Sequence, residues 1–136
     1  MNKSNSTQAL TRHAHYPIDI SVQTRFIPEQ SEPHNQRFVF AYTITVKNVG
    51  PETAQLLARH WLITDADGGQ QEVRGQGVVG EQPVLYSGAE YTYTSGVVLE
   101  TETGTMEGSY RMRNESDEHY EAEIPTFALV PPHAMH

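Results

Sequence analysis

The sequence predicts an all-β fold: a two-sheet antiparallel β-sandwich of about seven strands. Three observations carry that prediction. Apolar residues recur with a period of two in several segments, most clearly in RFVFAYTITVKN over residues 37–48. Clusters of turn formers separate these segments at short intervals. No stretch sustains the 3.6-residue period of an amphipathic helix, so nothing is available to make the crossovers that a parallel sheet needs.

Residues 1–13, rich in Ser, Asn, Gln and Thr, are expected to form a mobile polar tail ahead of one domain over 14–136. Structure should begin near Tyr16. Ile18, Ile20, Val22 and Phe26 then alternate with Asp19, Ser21, Gln23 and Arg25, a half-buried strand that Pro28 ends. Residues 29–36 hold turn formers and no apolar side chain, so they are an exposed loop. In the second strand Phe38, Phe40, Tyr42, Ile44 and Val46 line one face, with Val39, Ala41, Thr43 and Thr45 on the other. Asn48-Val49-Gly50-Pro51 is a turn. Residues 55–64 (QLLARHWLIT) form a strand with large apolar groups on both faces.

Asp67-Gly68-Gly69 supplies the positive φ angles of a tight hairpin, and residues 70–74 pair back. Residues 75–80 are a glycine-rich loop or irregular edge leading to Pro83-Val84-Leu85. Tyr91 and Tyr93 alternate with Thr92 and Thr94; Ser95-Gly96 reads as a turn, as does Ser87-Gly88, and Val97-Val98-Leu99 resumes the strand. A turn at Thr103-Gly104 leads, as a second hairpin, into Met106, Gly108, Tyr110 and Met112. Residues 114–118 are an acidic loop. The last strand carries Tyr120, Ala122 and Ile124, and Pro125 interrupts it before Phe127 and Leu129.

Composition bounds the function. A chain of 136 residues has the size of one domain, which disfavours an enzyme with a cleft between two lobes. Nine Lys and Arg against seventeen Asp and Glu give a formal charge of −8, which repels phosphate backbones and anionic lipid, so nucleic acid is not an expected partner. With no Cys, disulfides, thiolate metal sites and thiol nucleophiles are excluded. No apolar run approaches the ~20 residues of a membrane-spanning helix. A soluble, cytoplasmic protein without membrane insertion is expected, either a monomer or a homodimer.

Several residue groups invite a chemical reading. Gly75-Gln76-Gly77-Val78-Val79-Gly80 matches G-x-G-x-x-G, which makes Gly75, Gly77 and Gly80 candidate cofactor-binding residues. That motif holds a pyrophosphate when a helix comes next and points free N–H groups at the anion. Here the continuation is Glu81-Gln82-Pro83-Val84-Leu85, too short and too β-prone for a helix, so a structural glycine turn is the expectation. Arg59-His60-Trp61 places Arg59 and Trp61 on one face and His60 on the other; Trp61 suits the core, and Arg59 is expected to stack or pair with a carboxylate at the rim. His60 lacks an assignable nucleophile and orienting acid, and no G-x-S-x-G elbow occurs, so no catalytic residue is predicted.

Metal chemistry is weighed on four groups. His13-x-His15 and His133-x-x-His136 would need the termini to meet, and Asp65-Ala66-Asp67-Gly68-Gly69 departs from a calcium loop at its fifth position. Glu100, Glu102 and Glu107 flank one turn, and Glu115, Asp117 and Glu118 form an acidic patch, both expected to be solvated faces. No metal ligand and no cofactor is predicted.

The segments YTITVKNVG, QLLARHWLITDADG, EVRGQGVVGEQPVL, YTYTSGVVLETETGTMEGSYRM and IPTFAL resemble the ApaG family in order and spacing, over roughly residues 16–132. The resemblance implies an immunoglobulin or fibronectin type III-like sandwich and a link to cobalt and magnesium resistance or efflux. It also implies kinship with domains of larger eukaryotic proteins, F-box proteins among them, that look like protein-binding modules. The family's glycine motif, suggested as a pyrophosphate site, falls on Gly75, Gly77 and Gly80. Ser87 stands before Gly88 where a Pro-Gly turn is common in the family. The expectation is a non-catalytic protein–protein interaction module with an unidentified protein partner. The alternative is a small-ligand binder, taking pyrophosphate or a nucleotide at loop 75–80 or a divalent metal at the acidic loops.

Overall fold

The computed structural model describes residues 18–134. The predicted tail over residues 1–13 and the start near Tyr16 lie outside the described residues, as do His13, His15 and His136. Eight strands occur among the described residues: β1 (Ile18–Phe26), β2 (Phe38–Asn48), β3 (Ala54–Asp65), β4 (Gln70–Gln76), β5 (Val84–Leu85), β6 (Glu90–Leu99), β7 (Gly104–Asn114) and β8 (His119–Leu129). One sheet runs β1-β2-β6; the other runs β4-β3-β7-β8, with β5 pairing the start of β3. Every pairing is antiparallel. The sandwich is the one the alternation predicts, with the two-residue β5 as the additional strand.

The alternation works as a burial code. Ile18, Ile20 and Val22 of β1, Phe40, Tyr42, Ile44 and Val46 of β2, and Tyr93, Val97 and Leu99 of β6 face inward and are buried. The outer face of the same sheet carries threonines that bond across strands, Thr43 to Thr94 at 2.7 Å and Thr45 to Thr92 at 2.8 Å. From the second sheet come Leu56, Trp61, Ile63, Met106, Tyr110, Met112, Ala122, Ile124, Phe127 and Leu129. Burying a Trp or Phe of this kind is worth about 3–5 kcal/mol against truncation to Ala, so the aromatic residues dominate the core.

Two strands change parity partway. In β3, Ala54 and Leu56 face the core on even numbers, while Trp61 and Ile63 do so on odd ones. A bulge between Leu56 and Ala58 inserts Leu57 and makes the switch. The large apolar groups seen on both faces of residues 55–64 thus belong largely to one face on either side of the bulge. In β8, the pairing with β7 shifts between Met106 and Gly108, and Ile124 gives way to Phe127 as the next buried residue. Pro125 falls in that irregularity, the kind of position that tolerates a residue without an N–H, and the strand continues through it to Leu129.

Two sequence expectations are corrected. Ser95-Gly96 is not a turn: both residues lie inside β6, opposite Tyr42 and Ala41. The pair is held extended because β6 is hydrogen-bonded to β2 along its length, and pairing overrides a local preference. Residues 100–103 do not close a hairpin either, since β6 and β7 belong to different sheets. The segment is an arch between layers. The Thr101 hydroxyl anchors it, donating to the Thr103 carbonyl at 2.8 Å and accepting the Ala66 amide at 2.9 Å. Alternation marks which residues face inward but does not say whether successive strands lie side by side or face to face.

Asn48 ties one end of the sandwich together and is 2% exposed. Its side-chain amide donates to the carbonyls of Glu52 (2.7 Å) and Leu85 (2.9 Å), while its side-chain oxygen accepts the Gly50 amide at 3.0 Å. Its backbone adds bonds to Ala89 and Gly88. A buried carbonyl left without its donor costs about 1–3 kcal/mol. Asn48→Ala is therefore expected to lower the unfolding free energy by at least ~2 kcal/mol, read from urea denaturation. A loss within ~0.5 kcal/mol, the range of an ordinary surface change, would show that this end is held by packing alone.

Candidate functional site

The site grows out of the bulge in β3. The inserted Leu57 is unpaired on the β7 side, while on the other side its carbonyl lies one register step beyond the last β3–β4 pair, Ala58 with Gln76, where a backbone acceptor needs a donor. Two meet it: the Gly77 amide at 2.8 Å and the Gln82 side-chain amide at 2.9 Å. Gly77 reaches this carbonyl with φ at +62°, and a Cβ there would strike the Glu81 carbonyl oxygen. The chain then reverses over residues 78–81. Val78 and Glu81 exchange both backbone bonds, at 2.8 and 2.9 Å, across central residues Val79 and Gly80 with φ of +41° and +81°. This is the backbone shape of a two-residue hairpin loop, which favours glycine at both positions. Val79, a β-branched residue in the left-handed region, is strained, and its side chain stands out to solvent while Val78 is fully buried.

Beyond the bulge, Arg59 turns toward the core side of β3, opposite Tyr110 on β7 and Gly75 on β4. Its guanidinium lies over Gly75, where a Cβ would stand 2.7 Å from Nη1. Nη1 donates to the carbonyls of Gln76 (3.1 Å) and Gly77 (3.0 Å). Arg59 therefore donates to backbone carbonyls, and among the described residues it forms no ion pair with a rim carboxylate, one of the two arrangements expected from sequence. Gly75, Gly77 and Gly80 are brought together with distinct tasks: room for a guanidinium, closure of the bulge, and the reversal after it. The amides of Gly77, Val78 and Glu81 are all donated within the chain. After Gly80 the chain enters a β-bridge and then β5, and there is no α-helix among the described residues. A pyrophosphate cradle needs free amides and a helix N-terminus; this loop instead offers carbonyl oxygens to a cation.

Arg59 also borders a cavity between the layers. Beside β4 and β6 the sandwich stands open, and a space of ≈ 400 Å³ is lined by Arg59, Trp61, Tyr42, Ser95, Gln71 and Val98 among others. Trp61, 2% exposed, is gripped edge-on by three rings: Tyr42 at 5.5 Å, Phe127 at 5.9 Å and Tyr110 at 6.4 Å between centroids. Its indole Nε1–H is the one buried side-chain polar atom among the described residues without a hydrogen-bond partner. Such a donor costs about 1–3 kcal/mol when left unmatched.

Three tyrosines surround this arginine. Burial pushes the Tyr110 phenol well up, and the neighbouring Tyr93 adds to the shift. Burial likewise raises Tyr93 and Tyr42; the hydrogen bond to Tyr110 pulls Tyr93 back, Ser95 pulls Tyr42 back, and the Arg59 charge pulls down on both. Desolvation wins over the arginine's attraction in each case, so the phenols keep their protons. The Tyr93 and Tyr110 hydroxyls stand 2.5 Å apart in a buried bond.

The outer face of the same strands has its own polar set. His60 Nε2 lies 2.6 Å from the Glu72 carboxylate, which Arg74 also approaches at 3.1 Å. The His60 contact, then the Arg74 charge, holds the exposed Glu72 carboxyl below its usual range. Ser109 sits opposite His60 on β7, but its hydroxyl donates to Glu121 at 2.7 Å. A nucleophile must share its hydrogen with the base that removes it, and here each has a separate carboxylate.

The acidic groups are occupied locally. Glu118 accepts the Asn114 side-chain amide at 2.9 Å, Asp117 faces Arg113 at 3.8 Å, and Glu115 accepts the Thr53 amide at 2.8 Å, which holds its carboxyl down. Glu102 meets His133 at 2.6 Å, and Asp65 accepts the amides of Asp67 and Gly69. Among the described residues no three His, Asp or Glu side chains gather as a metal site. Sequence reasoning missed the juxtaposition of Arg59 with Tyr42, Tyr93 and Tyr110, which depends on cross-layer packing. The pairing of Arg59 with Gly75 was within reach, because counting back along β3 from the hairpin at Thr64 and Gln70 leads to it.

Comparison with known proteins places these features in a lineage. Residues 28–114 match the ApaG domain. A protein named Protein ApaG from Dechloromonas aromatica is 54% identical over 121 residues, 89% of this chain and 95% of its own length. One of the same name from the PAO1 strain of Pseudomonas aeruginosa is also 54% identical, over 89% of this chain and 96% of its own. A crystal structure described as an ApaA protein from Bordetella pertussis superposes with a TM-score of 0.84 at 47% identity, over 86% of this chain and 95% of that one.

The loop and the phenols each predict a measurable outcome. Gly77→Ala should destabilise the fold by about 2 kcal/mol or more, whereas Val79→Gly should stabilise it by about 0.5–1 kcal/mol, both from thermal or urea unfolding. A Gly77→Ala protein of unchanged stability would show that the bulge does not need this loop. The buried phenols retain their full contribution below the ordinary pKa of ~10, where folded and unfolded chains are both protonated. The unfolded chain then loses those protons first, so stability should fall as pH climbs above ~10 toward the raised folded values. Tyrosinate absorbance during alkaline titration should show Tyr42, Tyr93 and Tyr110 ionising last, together with unfolding; early ionisation of all seven tyrosines of the chain would contradict the burial argument.

Proposed function

Because the chain belongs to the ApaG domain family, we propose that it works as a non-catalytic module that binds a partner protein. The observation that carries this reading is the grouping of exposed apolar side chains at one end of the sandwich. Tyr86 is 69% exposed and Val84 50%, and Val49 is exposed as well. They sit on segments that Asn48 and Ser87 lash together, the first through the Leu85 carbonyl and the second through a 2.6 Å bond to Gly50. Single exposed apolar residues are ordinary, but a valine–tyrosine group on hydrogen-bonded loops is a surface that gains from being covered. Tyr is also a residue type that concentrates binding energy, because a large ring is immobilised at small entropic cost.

The polar groups support the same reading. His60, Ser109 and Glu121 border one hollow of ≈ 360 Å³ on an outer sheet face, but Ser109 donates to Glu121 while His60 pairs with Glu72, so the hydroxyl and the ring share no hydrogen as a nucleophile and its base would. No helix among the described residues is long and apolar enough to cross a membrane. A connection to cobalt and magnesium resistance or efflux, which the family resemblance suggests, would then run through the bound partner.

Capture from the native cell with the wild-type chain and with a Val84→Asp/Tyr86→Asp variant tests the proposal. The expected result is a small set of proteins recovered by the wild type and reduced at least ~10-fold by the variant, with thermal unfolding unaltered. Equal recovery by both, or only nonspecific proteins with either, would overturn it.

A further inference from the structure

Apart from the two-residue β5, four strands form the edges of the two sheets: β1, β6, β4 and β8. Three of them are blunted against further pairing. β1 carries Asp19 and Arg25, β4 carries Glu72 and Arg74, and β8 carries Glu121, Glu123 and Pro125 along with a register shift. Charge, proline and irregularity are the means by which an edge discourages an added strand. β6 has none of them over most of its length. Residues 91–99 include no charged side chain and no proline, and the register with β2 runs unbroken from Glu90 to Leu99. Among the described residues the other edge of β6 pairs with no strand, so every second N–H and C=O along it points away from β2 without a backbone partner.

Room for side chains lies beside that edge. β1 and β8 approach each other on the opposite side of the sandwich, whereas β4 and β6 make no comparable contact, which leaves the opening of ≈ 400 Å³. Val73, Val97 and Met106 give it apolar walls, and the small Ser95 and Gly96 keep the β6 side low. Arg59 borders the same space. Its Nη1 donates to the carbonyls of Gln76 and Gly77, while among the described residues it forms no ion pair, and no Asp or Glu lines the opening.

We propose that β6 accepts an extended segment of a partner protein as an additional strand, with a carboxylate side chain of that segment received by Arg59. Main-chain bonds to the open edge supply affinity, and alternate side chains of the segment turn to the core side, where an acidic one meets Arg59 and its apolar neighbours rest on Val73 and Val97. A second copy of the chain answers neither need. The core-side residues of its own β6, Tyr91, Tyr93, Ser95, Val97 and Leu99, belong to its own sandwich and none is acidic. Two chains of formal charge −8 also repel each other. The surface uses none of the loop-end residues Val49, Val84 and Tyr86, so it stands apart from the contact proposed there.

The probe is the end-blocked synthetic peptide Thr-Val-Thr-Glu-Thr-Val-Thr, which carries Val, Glu and Val on one face when extended, with a counterpart holding Gln in place of Glu. In nitrogen-15 correlation spectra of the full chain, the Glu peptide should move the amide signals of residues 91–98 saturably and slow hydrogen exchange at every second one of them. The Gln peptide should bind at least ~5-fold more weakly, the difference a charge-assisted bond makes. Ser95→Glu supplies Arg59 with a carboxylate from within the chain and should weaken the Glu peptide at least ~5-fold, with thermal unfolding as the check on its fold; the Gln peptide decides the point on the wild type if that variant does not fold. Val84→Asp/Tyr86→Asp should bind the peptide as the wild type does, so failure at this edge and failure at the loop end are told apart. No saturable shift at millimolar peptide would overturn the proposal, as would shifts without slowed exchange, equal affinity for the two peptides, or shifts confined to Val49, Val84 and Tyr86. Slow exchange of the edge amides before peptide is added would overturn it too, in favour of a second copy if the slowing grows with protein concentration and of another segment of this chain if it does not.

Discussion

The carbonyl of Leu57 is the constraint on which the rest of the site depends. One inserted residue rotates the remainder of β3 by half a period and sends Trp61 and Ile63, rather than His60 and Leu62, into the core. The inserted residue's carbonyl faces β4, one step beyond the last β3–β4 pair, and the Gly77 amide is one of the two donors that hold it. That bond fixes where the glycine segment lies, and the segment in turn clamps Arg59 through two carbonyls. Bulge, loop, arginine and tryptophan form one mechanical chain.

Electrostatics divides the molecule into two unlike surfaces. On the outer faces acids and bases are interleaved, so that His60, Arg74, Arg111 and Arg113 each find a nearby carboxylate. Those exposed pairs contribute little to stability, since solvent screens them. Inside the open edge, Arg59 faces phenols that burial keeps neutral, and the surroundings have low polarity. A charge in such a place interacts more strongly with an incoming group than the same charge on the surface would. The loop end, with Tyr86 and Val84 exposed, is different again: its interest is apolar area, not charge.

Much of the fold was legible because burial leaves a simple mark on β sequences. The alternation in residues 18–26 and 37–48 placed β1 and β2 correctly, and the Asp67-Gly68-Gly69 signal placed the β3–β4 reversal. The errors share a cause. Ser95-Gly96 has the composition of a turn but is held extended by β2, and residues 100–103 look like a hairpin but bridge two layers. Each depends on a partner distant in sequence. Residues 55–64 were ambiguous for the same reason, since a bulge is invisible to a count that assumes strict period two. The candidate site was visible as separate pieces, the glycine motif and the Arg59-His60-Trp61 triplet.

What the sequence determined by itself was chemistry and local direction: no thiols, a large negative charge, strands instead of helices, and which side chains prefer the interior. These traits arise from composition and from the two-residue repeat of an extended backbone, which any short window of residues expresses. The tertiary structure decided the assembly. It set which strands share a sheet, where Leu57 breaks the repeat, and that Gly75, Gly77 and Arg59 meet beside a tryptophan whose N–H has no acceptor. Those outcomes required hydrogen bonds and ring contacts between residues far apart in the chain, and such contacts exist only once the two layers have closed on each other.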